Sequence, residues 1–144
     1  MLKILVPVSR SPRSLQAVRH AAFLYSERCA SEIVLVNVQP PLESTRLEAF
    51  YPLSKLRSFE NSHAHAALCR AEQILKDGGV KYSVTIHVGP LIPTIAECAE
   101  QTGCDEILLA APRNDPLHTF ISFFSRSVLE RLVRISRVPV TAVR

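Results

Sequence analysis

The order of apolar and polar positions along the chain predicts strands and helices in alternation. Residues 2–8 form an almost continuously apolar run, which is typical of a central parallel strand covered on both faces. Between residues 53 and 76, alanine and leucine recur at positions 64, 68, 71 and 75, a spacing that lines one face of an α-helix. By the same criteria, strands are predicted at residues 2–8, 33–38, 82–88, 107–110 and 140–143, and helices at 11–28, 53–76, around 92–99 and at 125–135.

This βαβαβαβαβ order indicates an α/β fold, because right-handed crossovers place helices on both faces of a parallel sheet. We therefore predict a doubly wound open sheet of five parallel strands. In such a sheet a ligand lies outside the carboxyl ends of the strands at the switch point, here the first and fourth strands. The chain has 144 residues, and we expect residues 1–144 to form a single domain.

The connection between the fourth strand and the last helix is the usual anion or nucleotide site of such folds. In this chain residues 105–128 contain no glycine. Residues 117–124 are instead strongly apolar. Three interpretations of this segment remain open: core under the sheet, a cover over the empty cleft, or a surface for a partner.

Composition narrows the range of functions. The formal net charge is +4, and residues 126–144 hold five arginines against one glutamate. No recognition motif accompanies this cluster, which favours a solvated helix face over a nucleic-acid surface. The chain has neither an apolar run near the roughly 18 residues of a membrane helix nor a signal-peptide pattern, so we expect a cytoplasmic protein with no membrane or nucleic-acid partner. The four cysteines form no CxxC pair, which predicts reduced, mostly packed thiols and no metal site.

Ser9 and Ser11 follow the first strand, where a nucleophile would be exposed. No histidine or aspartate partner can be assigned to them, and no glycines of a nucleophile elbow surround them. Ser11 is better explained as a helix N-cap, because Pro12 follows it at a position that suits the first turn of a helix. We expect no catalytic residue and no enzyme activity.

A set of short matches in a fixed order covers the whole chain. They are Lys3–Val8 with Ser11 and Ala17, then Val36–Val38, His87–Gly89, Ile95–Ala96, Gly103–Asp105, Ser127–Val128 and Arg137–Val140. In this order and spacing the chain resembles the universal stress protein family. The resemblance implies a five-stranded Rossmann-like sheet of the adenine nucleotide alpha hydrolase-like type, with strand order 3-2-1-4-5.

The resemblance also implies a homodimer formed by antiparallel pairing of the last strand, here residues 138–143. That strand is uncharged and apolar, and a bare strand edge of this kind would aggregate. The predicted interface comprises Val138, Val140, Thr141, Ala142 and Val143.

Part of the family binds ATP through an aspartate after the first strand and a G-x2-G-x9-G-[ST] pattern after the fourth. The glycines let backbone amides approach the phosphates. In this chain Ser9 stands at the aspartate position, which removes a carboxylate.

The glycine pattern is lost in either of two possible alignments. Counted back from Ser127, its first two positions fall on Arg113 and Pro116, and counted forward from the strand they fall on Ala110 and Arg113. Arg126 replaces the third glycine in both alignments, and only Ser127 matches the pattern.

The family's nucleotide cleft therefore maps onto altered residues. They are Val8, Ser9, Arg10, Val38, Ala110, Arg113, Pro116, Arg126 and Ser127. Proline supplies no amide hydrogen, and each lost charge-assisted hydrogen bond costs about 1 kcal/mol or more. We expect a stress-response regulatory homodimer that uses no cofactor, does not bind ATP in the family manner and leaves room for an unidentified protein partner. The alternative is a cleft that holds ATP, another nucleotide or another anionic small molecule, with arginines 10, 13, 113 and 126 as its ligands.

Overall fold

The computed structural model describes residues 1–39, 53–111 and 125–144, without the side chains of residues 53–61, 63 and 64. Residues 42–52, whose mixed and proline-bounded sequence predicts an irregular connection, lie outside these ranges, as does the apolar segment at 117–124. The described strands are β1 (Leu2–Pro7), β2 (Ala30–Gln39), β3 (Tyr82–Val88), β4 (Glu106–Ala110) and β5 (Val140–Val143). The described helices are α1 (Ser14–Ser26), α2 (Leu53–Asp77), α3 (Leu91–Gln101) and α4 (Arg126–Ile135). In the part of the chain thus defined, no helix is both long and apolar enough to cross a membrane.

The strands form one parallel sheet in the order β3-β2-β1-β4-β5. The predicted doubly wound sheet and its 3-2-1-4-5 order are confirmed. β1, β2 and β4 occupy the centre, which explains why their sequences are apolar at almost every position. A strand covered on both faces has no solvent side on which to place polar residues.

Two apolar layers pack on opposite faces of this sheet. Successive residues of β1 contribute to opposite layers, because side chains alternate along a strand. The layer under α1 and α2 contains Ile4, Val6, Ile33, Leu35, Leu75 and Leu108. The layer under α3 and α4 contains Leu5, Val34, Val36, Ile95, Ile107, Leu109 and Leu132.

Three helices end in the same way at the amino end of the sheet. The second residue after each helix adopts a left-handed backbone conformation, with φ of 59° at Arg28, 62° at Gly79 and 64° at Gly103. The following amide then donates back to the carbonyl five residues earlier, as in a Schellman cap. These hydrogen bonds join Cys29 to Leu24, Val80 to Leu75 and Cys104 to Ala99, each at 2.9 Å.

Helix α1 begins at Ser14, three residues later than Ser11 and Pro12 predicted. The amides of Ser14 and Leu15 donate to the carbonyls of Ser11 and Pro12, at 3.1 and 3.2 Å, so a tight turn precedes the helix. The Ser11 hydroxyl accepts from the amide of Arg13 at 3.4 Å, inside that turn. Ser11 and Pro12 therefore order the connection into the helix rather than its first turn.

β3 lies at an edge of the sheet. In its sequence Tyr82, Val84, Ile86 and Val88 alternate with polar residues, which predicts a half-buried edge strand with its apolar side inward, but most of the burial is the reverse. Val84, Ile86 and Val88 are 37%, 42% and 66% exposed. Thr85 and His87 are the half-buried pair, and Thr85 Oγ1 lies 2.8 Å from His87 Nε2. An edge strand has a neighbour on one side only, and the helix layer leaves the apolar side of β3 partly open.

The four cysteines divide evenly by environment. Cys98 and Cys104 are buried in the layer under α3 and α4, as expected of packed thiols. Cys29 and Cys69 are exposed, so the expectation of mostly packed cysteines is wrong for these two. Cys29 lies in the turn after α1, and Cys69 lies on the solvent side of α2.

Candidate functional site

The central strand parts from one of its neighbours at the carboxyl end of the sheet. β1 pairs with β4 only as far as Leu5 and Ile107, whereas it pairs with β2 as far as Pro7 and Val36. β4 continues beyond this point beside β5. The two halves of the sheet therefore diverge at the β1–β4 boundary, which is the switch point where the sequence predicted a ligand cleft.

On the β1 side, Ser9 is engaged in hydrogen bonds within the chain. It is 6% exposed, and its hydroxyl accepts the amide of Ser11 at 3.2 Å. Its carbonyl accepts from the Ser14 hydroxyl at 3.1 Å, a proton that Ser14 shares with the Ser11 carbonyl at 2.8 Å. The residue at the family's aspartate position is thus part of a closed local network and presents no free carboxylate.

Asn37 connects the ends of β1 and β2 and was not among the predicted site residues. Its side chain is 3% exposed, and its Nδ2 donates to the Val8 carbonyl at 2.8 Å. Its Oδ1 in turn accepts from Gln39 Nε2. The backbone ladder ends just before this point, with Val8 N donating to Val36 O at 2.8 Å. The signal for Asn37 was present in the sequence, since a polar residue inside an apolar strand must find partners.

Val8 and Val38 lie where they were predicted, at the carboxyl ends of β1 and β2. Both are buried, so they form the floor of this region with their backbones rather than with exposed side chains. Val38 pairs in register with His87 of β3. Arg10 is exposed beside Ser9, and Arg13 is half-buried in the turn before α1.

On the β4 side, the described structure resumes at the start of α4. Ala110 is buried at the end of β4, while Arg113 and Pro116 lie outside the described residues. Ser125 is the N-cap of α4, and its hydroxyl accepts the amide of Val128 at 3.4 Å. The Ser127 hydroxyl lies 2.8 Å from that of Ser125. One of the amides that a helix N-terminus offers to an anion is therefore already satisfied by the cap.

Arg126 extends from the first turn of α4 into solvent. Its Nε donates to Glu130 Oε1 at 3.2 Å, one helical turn further along. The Arg126 side chain is 81% exposed, and a surface pair of this kind contributes at most about 1 kcal/mol. Arg126 thus occupies the third glycine position with a bulky side chain whose charge is partly balanced.

The predicted interface strand has one buried side and one open side. Val138 and Val140 pack against the layer under α3 and α4, and Val143 packs against the opposite layer. Thr141 and Ala142 are exposed, and the Thr141 hydroxyl donates to the carboxylate of Glu106. Val138, Val140 and Val143 therefore contribute to the protomer's own core, and among the described residues no strand pairs with the outer backbone edge of β5.

Within the described residues, neither a group of metal-ligating side chains nor a reactive buried thiol is found. Within residues 1–39, 53–111 and 125–144, no three histidine, cysteine or acidic side chains are grouped to hold a metal ion. Burial raises the pKa of the Cys98 thiol, with a smaller contribution from Cys104. Burial also raises the pKa of Cys104, so both thiols stay protonated at neutral pH.

The whole chain, residues 1–144, matches the model of the universal stress protein family. A comparison with curated proteins finds no match. Solved structures, in contrast, match over nearly the full length of the chain.

Three of these structures illustrate the likeness. Universal stress protein UspA from Lactobacillus plantarum is 24% identical, with 99% of this chain and 97% of that chain covered and a TM-score of 0.77. A universal stress protein in complex with cAMP is 17% identical, with 99% and 97% covered and a TM-score of 0.72. The universal stress protein from Archaeoglobus fulgidus in complex with dAMP is 20% identical, with 100% and 98% covered and a TM-score of 0.67. At these identities the likeness shows the fold.

Proposed function

The chain belongs to the universal stress protein family, and from that premise we propose that it is a stress-response regulatory homodimer whose cleft does not bind ATP in the family manner. The observation that carries this proposal is that polar side chains around the cleft already form hydrogen bonds or ion pairs within the chain. On the β1 side Ser9 is closed into a network with Ser11 and Ser14. On the α4 side Ser125 caps the helix and Arg126 pairs with Glu130.

A phosphate group would have to break these contacts to bind. It would need amide donors at the N-terminus of α4, where the cap already takes one, and space beside the position that Arg126 holds. It would also find no carboxylate at position 9 to hold a cation or a ribose hydroxyl. Each of these losses is about 1 kcal/mol or more, which amounts to about fivefold or more in affinity per contact.

The test is a calorimetric titration of the purified protein with ATP and Mg²⁺, with cAMP and with dAMP. The last two are chosen because relatives of the same fold are described in complex with them. We expect no saturable heat with any of the three up to millimolar ligand. Micromolar binding of any one would overturn the proposal, and mass spectrometry of the untreated protein checks for a copurified nucleotide.

A second titration identifies the residues responsible. The double variant Ser9→Asp with Arg126→Gly returns a carboxylate and a glycine to the family's positions. We expect this variant to bind ATP with Mg²⁺ at least tenfold more tightly than the wild type does. The variant Arg131→Gly also removes an exposed arginine from α4, and it should leave binding unchanged. A double variant that gains nothing would place the cause in residues 112–124 instead.

The alternative function is the binding of a different anion in the same cleft. Arg10 is exposed beside Ser9, and arginine is well suited to bidentate capture of phosphate or carboxylate groups. Titration with inorganic phosphate and pyrophosphate tests this alternative. Saturable binding of either anion that is lost in Arg10→Ala, while ATP gives no saturable heat, would favour this alternative over a cleft that holds no ligand.

The homodimer rests on the free edge of β5. Ile107 N donates to Pro139 O and Ala111 N donates to Val143 O, so the odd-numbered residues of β5 face β4. Val140 and Ala142 therefore turn their amide and carbonyl groups outward. We expect Ala142→Pro, which removes an outward amide, to lower the sedimentation coefficient toward that of a monomer. Ala142→Ser keeps the amide and should sediment like the wild type, and an unchanged Ala142→Pro variant would refute pairing through this strand.

A further inference from the structure

The opposite edge of the sheet has the same kind of free backbone as β5. Within the described part of the chain, β3 pairs with β2 along its whole length and with nothing on its other side. Ile33 N donates to Lys81 O and Gly89 N donates to Gln39 O, each at 3.0 Å. The odd-numbered residues of β3 thus face β2, and the even-numbered ones turn their amides and carbonyls outward. These outward residues are Tyr82, Val84, Ile86 and Val88.

The residues of β3 itself, 82–88, include none of the side chains that usually protect an edge strand. Lysine, proline, inward charges and bulges keep natural strand edges from pairing. The seven residues of β3, YSVTIHV, contain no lysine, no acidic residue and no proline. Lys81, just before the strand, is paired with Glu32 at 3.3 Å. Val84, Ile86 and Val88 are also exposed on one face of the strand, so an added strand would cover apolar surface as well as backbone.

We propose that β3 pairs antiparallel with β3 of a second copy of this chain. The register centred on Thr85 uses the full strand and places Val84 opposite Ile86, and Tyr82 opposite Val88. In each of these pairs both residues have outward amides and carbonyls, so they form the hydrogen-bonded pairs of an antiparallel ladder. Apolar side chains then meet apolar side chains on one face.

The same register brings like residues together on the other face. Thr85 lies opposite Thr85 of the partner, and Ser83 lies opposite His87, all in non-hydrogen-bonded positions. No charged side chain of β3 meets another of the same sign, because the strand holds no lysine, arginine or acidic residue. The strand is therefore complementary to itself, which is why a second copy fits this edge better than a charged partner does.

This inference is independent of pairing through β5 and goes beyond it. A protomer that pairs at β5 has β3 free at the far end of its sheet, so two such dimers would join through β3 into a larger assembly. The interface consists of one strand and the apolar side chains beside it. Its association is therefore expected to depend strongly on protein concentration.

The register predicts a specific cross-link. Non-hydrogen-bonded residues in an antiparallel pair have Cα atoms about 4.5 Å apart, which is within the range that a disulfide requires. Thr85→Cys, in a background with Cys29→Ser and Cys69→Ser, should form an intermolecular disulfide under mild oxidation. Ser83→Cys in the same background is the matched control, because its counterpart lies four residues away along the ladder, roughly 14 Å at about 3.4 Å per residue. Cross-linking of Ser83→Cys equal to that of Thr85→Cys would contradict this register.

Sedimentation separates this proposal from the β5 dimer. We expect the wild type to form species larger than a dimer as concentration rises, and Ile86→Lys to stay a dimer at every concentration. Phe23→Lys changes an apolar residue that is 55% exposed on α1, outside both edge strands, and should behave like the wild type. Val84→Thr keeps strand propensity while removing apolar surface, so it tests the edge if Ile86→Lys fails to fold.

Each outcome decides between the two edges. A wild type that stays a dimer at all concentrations, with Thr85→Cys uncross-linked, overturns pairing through β3 and leaves the β5 dimer intact. A dimer that survives Ala142→Pro but is lost in Ile86→Lys supports β3 and overturns β5. A monomeric wild type overturns both.

Discussion

The two ends of the sheet are built on different rules. At the amino end, three helices are each followed by a residue in the left-handed conformation and by a backbone hydrogen bond of 2.9 Å back to the helix. In each case the next strand begins within a few residues. At the carboxyl end, every described connection has its own geometry. Ser9 closes a serine network, Asn37 bonds the end of β1, and Ser125 caps α4.

The difference separates the turns that maintain the fold from the connections that determine what this chain's cleft can bind. A repeated turn at the amino end can serve any relative with the same strand order. The carboxyl end is where parallel α/β sheets place their ligands, and here Ser9, Asn37 and Ser125 hydrogen-bond within the chain. Substitutions at the amino end should therefore change stability alone, whereas those at the carboxyl end should also change the cleft.

The largest stability effect is expected at the carboxyl end, from Asn37→Ala. This substitution leaves the buried Val8 carbonyl without a donor and frees the amide of Gln39, at a cost of about 2 to 3 kcal/mol in the free energy of unfolding. Urea denaturation measures the change. Gln16→Ala is the control and should cost less than about 1 kcal/mol, because Gln16 is exposed on α1. Equal stability of Asn37→Ala and wild type would mean that the end of β1 is held by other contacts.

The next effect is expected at the amino end, from Gly103→Ala. A side chain at φ of 64° costs about 1 to 2 kcal/mol, and a Cβ at this position would meet no atom within 4 Å, so backbone strain is the whole effect. Gln101→Ala, at the exposed end of α3, should change the melting temperature little. If nucleotide or phosphate binding also changed in Gly103→Ala, the separation of the two ends would fail.

At Arg28 the opposite substitution can be tested, because here a side chain is removed from the left-handed position after the helix. Arg28→Gly relieves a left-handed arginine but adds flexibility to the unfolded chain, so we expect a net gain of about 0.5 to 1 kcal/mol. Arg28→Ala removes the same charge and keeps the strain, so it should show no gain. Thermal unfolding measures the stability of the two variants. If both are more stable than the wild type, the effect comes from the loss of the charge and not from relief of backbone strain.

The smallest effect is a dependence of stability on alkaline pH. Burial raises the folded pKa of Cys98 and Cys104 above the ordinary value of 9.0. The contribution of a raised pKa is fully present below the unfolded value and is lost as pH rises through the folded one. The free energy of unfolding should therefore fall above about pH 9.

Denaturation at pH 8 and pH 10 measures this slope. It should become shallower in Cys98→Ala with Cys104→Ala, although the raised pKa of Tyr82 leaves part of it in place. The exposed pair changed in the same way, Cys29→Ala with Cys69→Ala, should keep the wild-type slope. Equal slopes in all three proteins would remove the buried thiols as the cause.

The sheet could be predicted well from the sequence because its strands and turns require particular residue types. A strand covered on both faces must be apolar, as in β1 and β2, and Gly79 and Gly103 mark turns that need a left-handed residue. Arg28 gave no such signal, because arginine rarely adopts that conformation. The order of the five strands followed from alternation together with the family resemblance.

The site was less predictable because its features depend on partners that are distant in the chain. Ser9 was correctly located at the end of β1, but its closure by Ser14 depends on where α1 begins, three residues later than expected. Asn37 bonds a carbonyl 29 positions away, which no local pattern reveals. The exposure of β3 depends on how far the helices extend over the edge of the sheet.

The narrow boundary between β1 and β4 also has a consequence for synthesis. Lys3 and Asp105 exchange hydrogen bonds of 2.7 and 2.8 Å there, and the pairing ends at Leu5 and Ile107. At a translation rate of about 5 to 20 residues per second, β1 leaves the ribosome on the order of ten seconds before β4 exists. During that interval β1, with its almost continuous apolar sequence, has an open edge. The nascent polypeptide, more than the finished molecule, is therefore the form that most needs protection from aggregation.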